Sequence, residues 1–166
     1  MIPIRGIKEI NDASYRYQMP KVSIRVEGRG NGIKTRLLNI YDIAITLHRN
    51  PTEIIHFITY ELGTRIKTDN IINGSYTQQI IQQAIFKYIE YFVLCPAINC
   101  KKPEVKAYLI KNNKINLYCE GCGETNQVLI DHKICTFIIK STNQEKRNCK
   151  NITSNTFIND TYGKDV

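Results

Sequence analysis

The spacing of apolar residues predicts strands near the beginning of the chain. Residues 21–27 alternate between apolar and polar side chains, which is typical of a β-strand with one buried face. The glycine-rich sequence 28–32 interrupts this pattern, and a second short strand is expected over residues 35–38. Together these segments predict a β-hairpin with a glycine-rich tip.

From residue 39 the apolar residues recur every three or four positions, and this period predicts helices. A first short helix is expected over residues 39–47. A second should begin at Pro51, because Asn50 suits the capping position and proline suits the first helical one. Gly63 stands where this helix should end, since glycine readily takes the left-handed conformation that terminates helices. A third helix is expected over about residues 77–91.

The segment between the second and third helices, residues 64–76, predicts two short strands around a polar turn. Ser75 and Gln78 match a capping box in front of the third helix. The predicted fold class is therefore α+β. Three helices and short antiparallel strands form a small domain over residues 21–92.

Four cysteines occur in two close pairs in the second half of the chain. Cys95 and Cys100 are separated by four residues, and Cys119 and Cys122 by two. Such pairs predict a tetrahedral zinc site, because thiolates suit zinc and each close pair presents two sulfurs from one turn. Four protein ligands leave no open position, so this zinc should be structural. The alternative is a group of free thiols.

The cysteine-containing segment predicts a zinc β-ribbon over residues 93–140. Two of its strands are expected within residues 106–120 and a third within residues 128–140. Residues 1–20 show no periodicity and are interpreted as a flexible basic arm. Residues 141–166 are polar and rich in Asn and Thr, which predicts a disordered tail.

The charge of the chain is positive and unevenly distributed. The net charge is +8, and residues 1–40 alone carry eight Lys and Arg against three acidic residues. This clustering predicts an anionic partner, such as RNA, phosphate groups or an acidic protein surface. No apolar run is long enough for a signal peptide or a membrane span. We therefore expect a cytoplasmic protein, with a nuclear location as the alternative.

The glycine-rich tip "GRGNGIKT" fits neither nucleotide-binding motif, because Ile33 occupies the position where both need glycine. The chain is therefore expected to bind no nucleotide by itself. The hairpin instead offers candidate RNA- or partner-binding residues: Arg25, Arg29, Asn31, Lys34 and Arg36. A plain turn with solvated charges is the alternative. No nucleophile and base occur at catalytic spacing, so an enzyme with its own active site is not expected.

Several motifs occur in order across residues 15–140: "YRYQMP", "VEGRGNGIKT", "DIA..L.R.P", "ELGT", "FVLCP", "PE", "CEGCG" and "HKICTFIIK". In this combination the chain resembles the N-terminal domain of eukaryotic translation initiation factor five. A related core is found in the beta subunit of initiation factor two. The "YRY" entry and the ending "CTFIIK" favour the former.

This resemblance implies a function in trans. The family domain stimulates GTP hydrolysis by the gamma subunit of initiation factor two on the small ribosomal subunit. Arg16 matches the proposed arginine finger, whose guanidinium would neutralise charge that develops during phosphoryl transfer. Lys34 matches a supporting lysine. His56 stands where the family tends to carry another lysine, and a neutral imidazole would not replace that charge.

The resemblance also implies partners and leaves alternatives open. The implied partners are the gamma and beta subunits of initiation factor two, the small ribosomal subunit, initiator tRNA and mRNA, with the chain as a monomer in the larger complex. The family's C-terminal helical-repeat domain is not found in this sequence, so we expect either a fragment or a reduced factor. One alternative is a ribosome- and initiator-tRNA-binding factor without GTPase stimulation. The other is a beta-subunit-like component.

Overall fold

The computed structural model describes residues 1–10, 12 and 14–156, with side chains as far as residue 144. The strands are β1 (Ile2–Pro3), β2 (Gln18–Met19), β3 (Ile24–Glu27), β4 (Lys34–Leu37), β5 (Ile66–Thr68), β6 (Ile71–Asn73), β7 (Tyr108–Lys111), β8 (Lys114–Tyr118) and β9 (Thr125–Gln127). The helices are α1 (Ile40–Thr46), α2 (Pro51–Glu61), α3 (Gln78–Phe92) and α4 (Lys133–Thr156), and a short 3-10 helix spans Gly30–Gly32.

The central sheet contains four antiparallel strands in the order β3-β4-β6-β5. Successive side chains of β4 alternate between its two faces. Thr35 and Leu37 are fully buried in the core, whereas Lys34 and Arg36 lie on the outer face. The predicted hairpin of β3 and β4 is therefore confirmed, and its basic residues lie on the side away from the core.

Local capping explains the limits of α2. The Asn50 side chain accepts a hydrogen bond from the Thr52 amide at 2.9 Å, and Pro51 is the first helical residue. At the other end Gly63 has a φ of +62°, and the Thr64 amide donates to the Thr59 carbonyl at 3.0 Å. This is the glycine-terminated helix end that the sequence predicts.

The cap of α3 differs from the predicted one. The Thr77 side chain, and not that of Ser75, accepts from the Ile80 amide at 3.4 Å. Asn39 also does not cap α1 with its side chain, which instead accepts from the Ser23 amide and donates to the Lys21 carbonyl, both at 2.8 Å. Asn39 therefore ties α1 to the segment before β3.

The N-terminal segment forms a hairpin, which corrects the prediction of a flexible arm over residues 1–20. Strands β1 and β2 pair in antiparallel fashion, and the Ile4 amide donates to the Tyr17 carbonyl at 2.9 Å. Ile4 and Met19 are buried in the core. Both ends of this segment are anchored because their apolar side chains are removed from water.

Helix α4 corrects the predicted end of the ribbon. The third ribbon strand is β9, and most of the residues predicted to form it, 128–140, enter α4 instead. Ile134 and Ile138 recur at the helical spacing of four and are fully buried, and α4 packs against α2. The helix continues through residues 141–156, where a disordered tail was predicted. The rest of that tail, residues 157–166, lies outside the described residues.

The fold class is confirmed as α+β, with helices over antiparallel sheets and a second, three-stranded sheet in the cysteine-containing module. The division of the chain into domains stays a prediction. One core connects the two sheets, since Val105, Ile115 and Leu117 are buried in the same cluster as the helices. Among the described residues, no helix combines the length and apolarity that crossing a membrane requires.

Candidate metal centre and charged surfaces

The four cysteine sulfurs converge at one point. The Sγ atoms of Cys95 and Cys122 are 3.6 Å apart, and those of Cys100 and Cys119 are 3.8 Å apart. All four sulfurs lie within 4.8 Å of one another. The fold thus brings together the four residues that the sequence predicts as metal ligands.

Backbone hydrogen bonds shape the turn at each cysteine pair. In the first pair the Cys95 amide donates to the Lys102 carbonyl at 2.9 Å, so the longer loop closes beyond its second cysteine. In the second pair the amide of Gly123 donates to the Cys119 carbonyl at 2.8 Å. Gly123 has a φ of +75°, a conformation that glycine takes without steric cost.

This donor set fits a tetrahedral metal ion. Metal–sulfur bonds of about 2.3 Å in a tetrahedron separate the sulfurs by about 3.8 Å, close to the two distances above. Burial raises the pKa of Cys95 to about 12 and also raises that of Cys119. A bound cation would offset this cost of forming thiolates in a buried site. Cys135 lies elsewhere, half-buried, with its thiol 3.7 Å from the Ile130 carbonyl.

Arg16 lies on the surface with its side chain 77% exposed. Its Nη2 donates to the Tyr17 hydroxyl at 2.9 Å and lies 3.8 Å from Oε1 of Glu104, a residue of the cysteine-containing module. The guanidinium also lies over the Tyr17 ring, 4.9 Å from its centroid. The bond to Tyr17 raises the pKa of Arg16, so the side chain stays charged. We call Arg16, Tyr17 and Glu104 the Arg16 clasp.

The basic hairpin presents its predicted residues in two groups. Arg29 and Asn31 are exposed at the glycine-rich tip. Gly28 permits the tight turn there, because a Cβ on this residue would lie 2.4 Å from the Gly32 carbonyl oxygen. Arg25 faces Arg36 across β3 and β4 on the outer side of the sheet.

Glu27 reduces the charge of this surface. Arg36 donates to its carboxylate at 3.0 Å, and Lys34 Nζ lies 3.5 Å from the same group. The bond from Arg36, with Lys34 nearby, lowers the pKa of Glu27. Lys34 and Arg16 therefore belong to separate charge pairs, one on the sheet and one beside the cysteine-containing module.

His56 is an aromatic contact between two helices. Its ring lies 4.3 Å from that of Phe137 on α4 and 5.8 Å from that of Tyr60 on α2. Burial lowers the pKa of His56, which keeps the imidazole neutral. The structure therefore gives this residue a packing contact and no fixed positive charge.

A second arginine, Arg49, is buried where the two modules meet. It donates to four backbone carbonyls at 2.7–2.9 Å, which belong to His48, Phe92, Val105 and Lys106. Its guanidinium lies over the Tyr108 ring, 4.6 Å from the centroid. Arg49 thus connects the end of α3 to the segment that leads into β7.

A buried carboxylate lies beside Arg49. Glu53 on α2 accepts hydrogen bonds from the hydroxyls of Tyr88 and Tyr108. Burial would lower the pKa of Arg49, but the neighbouring Tyr108, Tyr88 and Glu53 outweigh it and raise that pKa. We call Arg49, Glu53, Tyr88 and Tyr108 the junction network.

Comparison with known proteins identifies the family. Residues 7–125 match the family described as the domain found in initiation factors 2B and 5. The chain belongs to this family. The match includes both arginines and all four clustered cysteines, and it confirms the resemblance to the N-terminal domain of initiation factor five that the motifs indicate.

Curated relatives agree with this assignment. "Eukaryotic translation initiation factor 5" of Mus musculus is 38% identical over 140 residues, 81% of this chain and 32% of the relative. The protein of the same name from Saccharomyces cerevisiae is 37% identical over 139 residues, 81% of this chain and 34% of the relative. "Probable eukaryotic translation initiation factor 5-2" of Arabidopsis thaliana is 34% identical over 147 residues, 86% of this chain and 33% of the relative. The chain spans about a third of the length of these relatives.

Sequence reasoning missed the junction network and the part of Glu104 in the Arg16 clasp. Arg49 and Glu104 both belong to motifs that carry the family resemblance, "L.R.P" and "PE". Those motifs marked the positions without indicating their contacts. The partners of each residue lie more than 40 positions away along the chain or in the other module, so no local spacing could predict them.

Proposed function

We propose that this chain acts in translation initiation as an activator, in trans, of GTP hydrolysis by the gamma subunit of initiation factor two. Membership of the family shared by initiation factors 2B and 5 supports a function in initiation. The observation that carries the finer proposal is Arg16, a fully charged side chain 77% exposed beside the "YRY" tyrosines. The chain supplies a charge to another protein's active site and needs none of its own.

The chemistry of GTP hydrolysis explains why such an arginine would matter. Negative charge spreads over the phosphate oxygens as the bond to the leaving group loosens. A guanidinium inserted from outside neutralises this charge and donates several hydrogen bonds in one plane. Arg16 suits this role because its only described partners are a phenol and a carboxylate at 3.8 Å.

The hairpin would dock the chain on its partners. Arg25, Arg29, Lys34 and Arg36 present positive charge on one side, with Asn31 at the tip. Positive surfaces of this kind attract RNA phosphates and acidic proteins. The proposed partners are the gamma and beta subunits of initiation factor two, the small ribosomal subunit, initiator tRNA and mRNA. Lys34 would support Arg16 from this surface.

The four cysteines would hold one structural zinc ion. Their sulfur spacing fits a tetrahedral thiolate site, and four protein ligands leave no position for a substrate. Zinc bound there would stabilise the module, because a three-stranded sheet this small has little core of its own. Native mass spectrometry should find one zinc per chain, and Cys119→Ser should abolish it. Full retention of zinc by this variant would contradict the proposal.

The test of the main proposal is stimulated GTP hydrolysis in a reconstituted initiation complex. Arg16→Ala and Arg16→Lys should each lower the stimulated rate by about 10³-fold or more, the scale on which arginine fingers act. Arg65→Ala is the matched control, since it removes the same charge from an arginine on another part of the surface. Unchanged stimulation in both Arg16 variants would overturn the proposal.

A second function is favoured by one observation. His56 is neutral and packed against Phe137, where the family tends to carry a lysine. The chain would then be an initiation factor that binds the small subunit and initiator tRNA without stimulating GTP hydrolysis. In that case wild-type protein gives no stimulation. Binding to small subunits would survive Arg16→Ala and weaken steeply with salt.

A further inference from the structure

The Arg16 clasp connects residues that are far apart in the sequence. The Tyr17 hydroxyl donates to Oε1 of Glu104 at 2.6 Å, and the same carboxylate oxygen faces Arg16 at 3.8 Å. Tyr17 is therefore a shared partner, which accepts from the guanidinium and donates to the carboxylate. The guanidinium nitrogen used here, Nη2, is one that a phosphate would need.

The cysteine-containing module holds Glu104 in place. The Glu120 amide donates to the Glu104 carbonyl at 3.0 Å, and the Glu104 side chain packs over Gly121 in the turn of the second cysteine pair. Its side chain is 21% exposed, so it is much less mobile than Arg16. The nearby Lys106 is paired with Glu120 at 2.7 Å, which leaves Glu104 to Arg16 and Tyr17 among the described ion pairs and hydrogen bonds.

We propose that Glu104 is a positioning residue for Arg16: it holds the guanidinium in a resting position beside the cysteine-containing module, and Arg16 leaves this position to meet a phosphate. The inference rests on the proposed function, since it concerns how that arginine is used. A phosphate carries more charge than a single carboxylate, so it displaces Glu104 on docking. The clasp then sets how readily the chain acts at low concentration and leaves the maximal rate unchanged.

Glu104→Gln is the most direct test. The amide has the same shape and can still accept from Tyr17, but it no longer attracts Arg16. In the GTP hydrolysis assay at low salt, the concentration of chain for half-maximal stimulation should fall about two- to fivefold, the range typical of exposed ion pairs. The maximal rate should not change. A purely structural role would not divide the two parameters in this way.

Glu120→Gln is the matched control. It removes the same charge from the same module, but from a residue paired with Lys106. This control separates release of Arg16 from a general gain in positive charge. Raising the salt should bring wild type and Glu104→Gln together, because ions screen the exposed pair. Equal gains in the two variants, or a loss in Glu104→Gln, would overturn the clasp.

A second measurement does not depend on GTP hydrolysis. Phenylglyoxal condenses with guanidinium groups, and mass spectrometry can follow its reaction at Arg16. The reaction should be at least about twofold faster in Glu104→Gln than in wild type, and unchanged in Glu120→Gln. An unchanged rate in Glu104→Gln overturns the clasp. If this rate rises but Arg16→Ala still stimulates GTP hydrolysis fully, the clasp stands and the proposed function fails.

Discussion

Two arginines of this chain lie in opposite environments. Arg49, in the junction network, is buried and donates to four backbone carbonyls beside the carboxylate of Glu53. Arg16, in the Arg16 clasp, is 77% exposed and has a phenol and a more distant carboxylate as partners. Both belong to family motifs, yet one connects two modules and the other extends into solvent.

The difference follows from the cost of removing a charge from water. A buried guanidinium is stable only when acceptors surround it, so Arg49 cannot leave its site without leaving those acceptors unpaired. An exposed guanidinium keeps most of its hydration and exchanges partners at little cost. The first arginine therefore suits a permanent connection, and the second suits a contact with another molecule.

The largest effect on stability is expected from Arg49→Met. This change leaves four carbonyls and the Glu53 carboxylate without the positive charge, and should lower the free energy of unfolding by about 3–5 kcal/mol. Chemical denaturation followed by circular dichroism measures it. Arg65→Met is the control, because Arg65 lies on the surface. Equal losses in the two variants would remove the contrast between the buried and exposed arginines.

Removing one hydroxyl from the junction network should have a smaller effect. Tyr88→Phe and Tyr108→Phe each delete a hydrogen bond to the Glu53 carboxylate, at a cost of about 1.5–3 kcal/mol in the free energy of unfolding. The two changes should not be additive, since they share one acceptor. Tyr41→Phe, at an exposed tyrosine, should have no measurable effect. Additive losses would show that the hydroxyls act separately.

Alkaline pH should weaken the same network. Burial, with Glu53 nearby, raises the pKa of Tyr88 and of Tyr108 in the folded chain. A group with a raised folded pKa contributes stability that is complete below its unfolded pKa, about 10, and is lost as the pH rises above it. Denaturation between about pH 8 and 11 should show this loss. The Tyr88→Phe, Tyr108→Phe double variant should lose less, and an equally steep loss would exclude these tyrosines as its source.

The smallest effect on stability is expected from Arg16→Ala. Its hydrogen bond to Tyr17 and its ion pair with Glu104 involve an exposed guanidinium, so the melting temperature should equal that of wild type within experimental error. Differential scanning calorimetry would measure it. A clear drop in melting temperature would mean that Arg16 stabilises the fold, and the contrast with Arg49 would be one of degree.

Local signals in the sequence were sufficient where a structure depends on neighbouring residues. Asn50, Pro51 and Gly63 marked both ends of α2, because capping involves residues within one turn. Alternation marked the hairpin of β3 and β4. The spacing of the cysteines predicted their convergence, because each pair lies in one tight turn.

The same signals failed where a distant contact decided the outcome. The apolar run that contains Ile134 and Ile138 fits a buried strand and a buried helix equally well. It forms α4 because α2 offers an apolar surface at helical spacing. Residues 1–20 show no period, yet their two ends pair with each other and bury Ile4 and Met19.

The sequence by itself determined the α+β class, the limits of α2, the basic hairpin, the four clustered cysteines and the motifs of the family. Only the tertiary structure decided which arginine is buried and which is exposed. Arg49 is enclosed by carbonyls up to 57 positions away, and Arg16 faces a carboxylate 88 positions away (from residue 16 to residue 104). Contacts over such distances depend on how whole elements pack, and a local pattern of residues does not contain that information.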